Sequence, residues 1–154
     1  MKCDRAHPDS PDSQAERSER ALPDPAVAFL RRPQHAVLGW LSLTGRPLTV
    51  ATWYEWDDGR ILINMDAGRR RLASIQIGSP VSLTALDAEN WYRHVSVYGS
   101  ISEMRPDPRL ADIDRLSTRY TGTPYRDRKR PRVSAWIEIN SWHGWIEGEP
   151  WPRK

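Results

Sequence analysis

Two stretches of this chain alternate apolar and polar side chains with a period of two, and that pattern limits the fold more than any other feature. In Arg93 to Glu103 the residues Val95, Val97, Gly99 and Ile101 share one face, and in Arg132 to Ile139 the residues Val133, Ala135, Ile137 and Ile139 do the same. Successive side chains of a strand point to opposite sides, so each stretch reads as a strand with one face on a core. Gly99 in the middle of the first predicts a bend or a close approach of another backbone.

Shorter strand signals fill the region before them. Ala36 to Leu43 is apolar and ends in Thr44-Gly45-Arg46-Pro47, a turn sequence. Leu48 to Trp56 follows, closed by Asp57-Asp58-Gly59-Arg60, a hairpin signal. Ile61 to Met65 and Val81 to Leu86 are two more apolar runs, and Ser141 to Trp145 reads as a short closing strand. Connections of hairpin length make the sheet mainly antiparallel. About six strands with two or three helices predict an α+β domain, a small barrel with helical insertions.

The helices are marked by their ends. Pro25 to Arg31 places Val27, Phe29 and Leu30 behind a proline at a first helical position. Asp107-Pro108 opens a second helix with Leu110, Ile113, Leu116 and Tyr120 as its apolar stripe, ended by Gly122. A third is expected over Arg69 to Ile77, with Leu72 and Ile75 facing inward. Arg69, Arg70 and Arg71 then occupy a first turn, where unpaired N–H groups and the helix dipole favour an anion. Cations there cost stability, so an anionic ligand would compensate them; the other reading is a basic, solvated surface.

The totals bound the function. The chain has 154 residues, 38% hydrophobic and 28% charged, enough for one soluble domain with a core. Residues 1–24 are polar and proline-rich and read as a disordered tail, and residues 25–152 as the single domain. No run approaches the ~20 apolar residues of a membrane span. Cys3, in the tail, is the only cysteine, which excludes an internal disulfide and suits a cytoplasmic protein. A net charge of +3 permits an anionic ligand or nucleic acid without choosing between them. Eight tryptophans against one phenylalanine call for flat walls, in a ligand groove or a subunit interface. The four histidines, His7, His35, His94 and His143, show no metal spacing, and no nucleophile–base pair appears.

In order and spacing, several segments resemble the flavin-binding split-barrel family. They are Pro47-Leu-Thr-Val-Ala-Thr-Trp-Tyr-Glu-Trp-Asp-Asp-Gly59, Leu62-Ile-Asn-Met65, Gly68-Arg-Arg-Arg-Leu-Ala-Ser-Ile75, Val81-Ser-Leu83, Tyr92-Arg-His-Val-Ser-Val-Tyr-Gly99 and Arg119-Tyr-Thr-Gly122. That family includes pyridoxamine-phosphate oxidases and actinobacterial oxidoreductases that use FMN or the deazaflavin coenzyme F-420. The resemblance implies a homodimer with cofactors in grooves at the subunit interface. It implies that Arg70 and Arg71, flanked by Arg69, take the cofactor phosphate. It likewise places Asn64 and Met65 beside the ring system and its tail, and Val50, Ala51, Thr52 and Trp53 along the ring edge. His94 matches a polar position that touches the ring, and the cofactor rather than a side chain carries the chemistry.

There are departures. Val50-Ala51 stands where many relatives have a Thr/Ser-Pro pair, and Arg71 replaces the usual lysine. The oxidases' C-terminal arginine segment for pyridoxal phosphate has no counterpart, which argues against pyridoxamine phosphate as substrate. The expected activity is hydride transfer between a deazaflavin, or alternatively FMN, and a small organic acceptor. The competing readings are a non-catalytic flavin or haem carrier and, from another class, a single-strand nucleic-acid-binding barrel with stacking aromatics. The basic loop Arg126 to Arg132 either meets a cofactor's anionic tail or is simply solvated.

Overall fold

The computed structural model describes residues 21–151. Residues 1–20, which make up most of the expected tail together with Cys3 and His7, lie outside the described residues, as do residues 152–154. Among the described residues, Leu22 packs on the core and helix α1 (Asp24–Leu30) starts just before Pro25. Ala26, Phe29 and Leu30 are its buried residues.

Eight strands follow: β1 (His35–Leu41), β2 (Pro47–Thr52), β3 (Glu55–Asp57), β4 (Arg60–Asp66), β5 (Pro80–Leu86), β6 (His94–Pro106), β7 (Arg132–Ile146) and β8 (Glu149–Trp151). Helix α2 (Ala111–Thr121) lies between β6 and β7. All pairings are antiparallel in the order β2-β1-β5-β6-β7-β4-β3, with β8 on the far end of β7. The fold is the expected α+β split barrel.

The topology explains the split. Strands β2 and β3 stand at opposite ends of the sheet order, yet only Trp53 and Tyr54 separate them in the chain. The sheet must therefore curl until its edges meet, and no pairing joins β2 to β3. An open seam is left. The expected strand Leu48 to Trp56 is broken at this seam, because Tyr54 turns fully into the core while Trp53 stays at the edge.

Turn chemistry sets the registers. Asp58 (φ 49°) and Gly59 (φ 84°) link Asp57 to its partner Arg60, giving a two-residue turn whose twist matches the strands. Gly99 is required for a second reason. A register shift between β6 and β7 falls there, and an added Cβ would sit 1.8 Å from the Glu138 carbonyl oxygen. The stretch Ser141 to Trp145 is not a separate strand but the second half of β7, which then turns through Glu147-Gly148 into β8.

One expected helix is corrected. Arg69 to Ile77 forms only a single 3-10 turn, Arg70–Ala73. Ser74 ends it: its hydroxyl donates to the Arg71 carbonyl at 3.2 Å and accepts from Trp40 Nε1 at 3.1 Å. A serine that bonds its own backbone competes with helix propagation. Ile75 is nevertheless fully buried and Leu72 packs on the core, as their spacing predicts. A turn this short has no helix dipole to speak of, so the anion-binding argument must rest on the side chains alone.

Candidate functional site

The seam opens into a cleft of about 490 Å³, walled by strands, the 3-10 turn and helix α2. The end of β2 and the link beyond it supply Ala51, Thr52 and Trp53, and the start of β1 supplies His35, Ala36 and Val37. Asn64 on β4 and Arg71 in the 3-10 turn form one side. Helix α2 and the chain after it add Ile113, Leu116, Tyr120, Tyr125 and Arg132. Because β2 pairs only with β1, half of its backbone N–H and C=O groups face the seam without a strand partner.

The three arginines diverge. Arg69 and Arg70 are exposed, and with Arg71, Val50 and Ala51 they border an adjoining hollow of about 520 Å³. Arg71 is half-buried and borders both spaces. Its Nε is shut off from solvent and has no hydrogen-bond partner. Burial lowers its pKa from the ordinary guanidinium value, and the nearby charges of Arg69 and Arg132 lower it further, against the raising effect of Asp66. Asp66 itself is engaged elsewhere, by Arg130 at 3.3 Å and Arg69 at 3.9 Å. Arg71 is thus a cation that lines a cleft without a counter-ion in contact among the described residues.

Arg132 presents the opposite situation. Its Nε donates to Asn64 Oδ1 at 2.8 Å and its Nη2 to the Asn64 carbonyl at 3.4 Å, while the guanidinium lies 5.0 Å from the centre of the Tyr125 ring. Asn64 is fixed in turn, its amide donating to Asp107 Oδ2 at 3.2 Å and to Ser134 Oγ at 3.1 Å. Ser134 donates to Asp112 Oδ2 at 2.7 Å, and Asp107 Oδ2 also accepts the Ile113 N–H at 3.0 Å, near the start of α2. Leu110, at the N-cap position with φ 58°, has no capping side chain, so Asp107 does that work.

An aromatic corner completes the cleft. Trp53 and Tyr120 stack at 5.5 Å, and Tyr125 meets Trp53 edge-on at 6.4 Å. The Tyr120 hydroxyl donates to the Gln34 carbonyl at 2.8 Å, and burial pushes its pKa up to about 12, so it stays protonated.

Of the residues expected at a cofactor site, the structure brings Ala51, Thr52, Trp53, Asn64 and Arg71 to one cleft, with Val50, Arg69 and Arg70 beside it. The side chain of Met65 is not free to join them, because it is 1% exposed and part of the core. His94 does not line the cleft. It shares a row with His35 and Leu86, which do, but sits one strand further from the seam, with Nδ1 2.7 Å from the Tyr92 carbonyl. His35, Tyr120, Tyr125 and Arg132 were missed as site residues. Arg132 begins an alternating strand behind a basic loop, and nothing in its neighbours distinguishes it. The loop itself is partly neutralised: Arg128 pairs with Asp114 at 2.5 Å, and Arg130 with Asp66 and Asp127.

Among the described residues no cluster of His, Cys, Asp or Glu can hold a metal, and no helix is long and apolar enough to cross a membrane. Solved structures with this fold are numerous. An F420 reductase is 25% identical with a TM-score of 0.69, covering 79% of this chain and 98% of its own. A FAD and haem binding protein from Mycobacterium smegmatis is 18% identical with a TM-score of 0.58, over 80% of this chain and 71% of its own. A putative pyridoxamine 5'-phosphate oxidase from Lactobacillus delbrueckii is 15% identical with a TM-score of 0.52, over 78% and 93%. No curated protein matches the chain. The pyridoxamine 5'-phosphate oxidase family model matches residues 22–146, nearly all of the described residues. With the curled antiparallel sheet and its open seam, that match places this chain in the pyridoxamine 5'-phosphate oxidase family.

Proposed function

We propose that the seam cleft binds a phosphorylated flavin-type cofactor and that the protein is an oxidoreductase acting on a small organic acceptor. The observation that carries this is Arg71. A guanidinium held half-buried with an unpartnered Nε, and with no carboxylate in contact among the described residues, is unfavourable alone. A phosphate monoester or diester is the group that relieves it.

The deazaflavin coenzyme F-420 fits better than FMN for one reason of layout. Beyond Arg71 the adjoining hollow continues past Arg69 and Arg70, so a tail with further negative charges has cations to follow. The F420 reductase among the structural neighbours supports the same choice. When bound, such a cofactor supplies the hydride chemistry. The chain's own part is to hold the phosphate at Arg71, to offer the free edge of β2 to the ring system, and to exclude water with Trp53, Tyr120, Ile113 and Leu116.

A homodimer would complete this site. The outer face of β1, β5, β6 and β7 carries Val37, Thr84, Ser96, Tyr98 and His143 and no Asp, Glu, Lys or Arg between rows His35–Leu86–His94–Trp145 and Gly39–Ser82–Tyr98–Ser141. Charge depletion of that kind marks the centre of a subunit interface. His35, Val37 and Leu86 belong to both this face and the cleft, so a second copy seated there would wall the cofactor in.

The test is a pair of fluorescence titrations of the purified protein, with F-420 and with FMN, repeated on Arg71→Ala. Saturable binding of one cofactor that is lost in the variant is the expected result. Unchanged affinity in the variant would overturn the assignment. Turnover of the reduced cofactor with quinone or enone acceptors then separates an oxidoreductase from a carrier on the same fold.

A further inference from the structure

The cleft holds a second guanidinium, and its surroundings say what it is for. Arg132 makes no ion pair among the described residues, and its contacts are the oxygen atoms of Asn64 and the face of Tyr125. Tyr125 Oη lies 3.5 Å from Nη1, at the limit of a hydrogen bond. Asn64 takes up the Nε and one Nη2 proton, which is one side of the planar fork. The remaining N–H groups of Nη1 and Nη2 stay available in one plane, a geometry that matches the two oxygens of a carboxylate. The cleft that Arg132 lines is mostly apolar, with the rings of Trp53 and Tyr125 and the side chains of Ile113 and Leu116 in its wall.

Two features separate this corner from the Arg71 corner. Arg71 adjoins the hollow of Arg69 and Arg70, whereas Arg132 lines the main cleft beside the aromatic corner and not that hollow. The Arg71 Nε has no hydrogen-bond partner among the described residues, whereas Arg132 is the outermost member of a buried chain running through Asn64 to Asp107, Ser134 and Asp112. Buried polar groups wired in this way fix a donor's direction before any ligand arrives.

We propose that Arg132 is the specificity-determining cation of the acceptor end of the cleft, that Asn64 is the residue that positions it, and that the acceptor class it selects is a planar conjugated carboxylate. The word acceptor rests on the cofactor reading above; the recognition of the carboxylate does not. Asn64 is therefore a positioning residue rather than a cofactor contact, since its side-chain amide and its carbonyl oxygens are already committed within the protein.

The experiment compares cinnamate with cinnamamide, which has the same shape without the charge, by isothermal titration calorimetry on the whole protein. The wild type binds the acid about tenfold more tightly than the amide, the size expected for one charged, two-point contact. In Arg132→Gln that preference disappears. In Arg132→Lys, which keeps the charge but not the grip on Asn64, it is reduced, and this variant serves where the glutamine form fails to fold. In Arg71→Gln the preference is kept. For Asn64→Ala the reading is the Arg132 Nε–H resonance in a ¹⁵N spectrum, sharp and slow to exchange in the wild type and lost in the variant. Equal binding of acid and amide to the wild type, no binding of the acid, or loss of the preference in Arg71→Gln instead of Arg132→Gln each overturns the proposal. The cofactor titration is run on the same samples. Absent cofactor binding with the acid preference intact sinks only the redox reading, and cofactor binding without the preference sinks only this one.

Discussion

Arg71 and Arg132 face the same cleft, but the protein holds them in contrasting ways. Arg71 rises from a four-residue turn with no capping side chain, and its Nε is buried without a partner. Arg132 starts a fifteen-residue strand and is bound through Asn64 to a network of two buried carboxylates and a serine. The first guanidinium is left for something else to satisfy. The second is already aimed. One cation thus contributes binding energy that only a ligand can realise, while the other contributes direction, and direction is what selects between ligands.

Mutation should separate the two, and the largest effect is expected at Arg71. Arg71→Ala should weaken cofactor binding by roughly 10- to 100-fold, the loss of one or two charged hydrogen bonds of ~1.5–3 kcal/mol, while thermal stability holds or rises slightly. A variant that melts earlier and still binds would invert the comparison. Asn64→Ala should do the reverse in urea denaturation, costing about 1–3 kcal/mol, because Asp107 and Ser134 lose a buried amide donor. If that variant is as stable as the wild type, the network supports nothing.

Asp66 sharpens the contrast through pH. The Gly68 N–H holds its carboxyl below the usual carboxylate range, burial opposes this, and Arg130 adds to the lowering. A depressed value in the folded state means that the stabilisation is present above about pH 4 and is lost as pH falls through the folded value. Acid denaturation of Asp66→Asn should therefore be flatter below pH ~4 than that of the wild type. Since Asp66 also keeps Arg69 and Arg130 occupied, the same variant shows whether freeing them alters cofactor affinity.

The smallest effect is expected away from the cleft, at His143. Burial, and then the neighbouring His94 ring at 5.9 Å, lower its pKa from the ordinary imidazole value. A lowered histidine contributes stability that is present above about pH 6.5 and fades as pH falls through the folded value. His143→Gln should remove a slight loss of stability on mild acidification. Chemical denaturation at several pH values reads it.

Much of the fold was legible because it depends on local chemistry. The hairpin at Asp57-Asp58-Gly59-Arg60 needs two residues at positive φ, and the aspartate–glycine pair provides them. The strand around Gly99 shows its alternation openly, and the glycine marks the one place where the Glu138 carbonyl comes too close for a Cβ. The helix expected over Arg69 to Ile77 failed for a reason that is not local. Everything beyond its first turn was lost at Ser74, whose hydroxyl bonds the Arg71 carbonyl and is also bound by Trp40, a partner 34 residues away. The site was half legible. Ala51, Thr52, Trp53, Asn64 and Arg71 all fall between the start of β2 and the 3-10 turn, whereas Tyr120, Tyr125 and Arg132 come from far later in the chain and meet them only in the folded sheet, where β4 pairs with β7.

The sequence by itself determined where strands begin and turn, which faces are apolar, and that a cluster of cations follows β4. These are consequences of side-chain period and backbone φ, and they need only neighbours in the chain. The tertiary structure decided which one of three consecutive arginines enters the cleft, and which distant residues meet it there. That choice depends on closing the sheet upon itself, and the closure brings together atoms whose separation along the chain carries no signal.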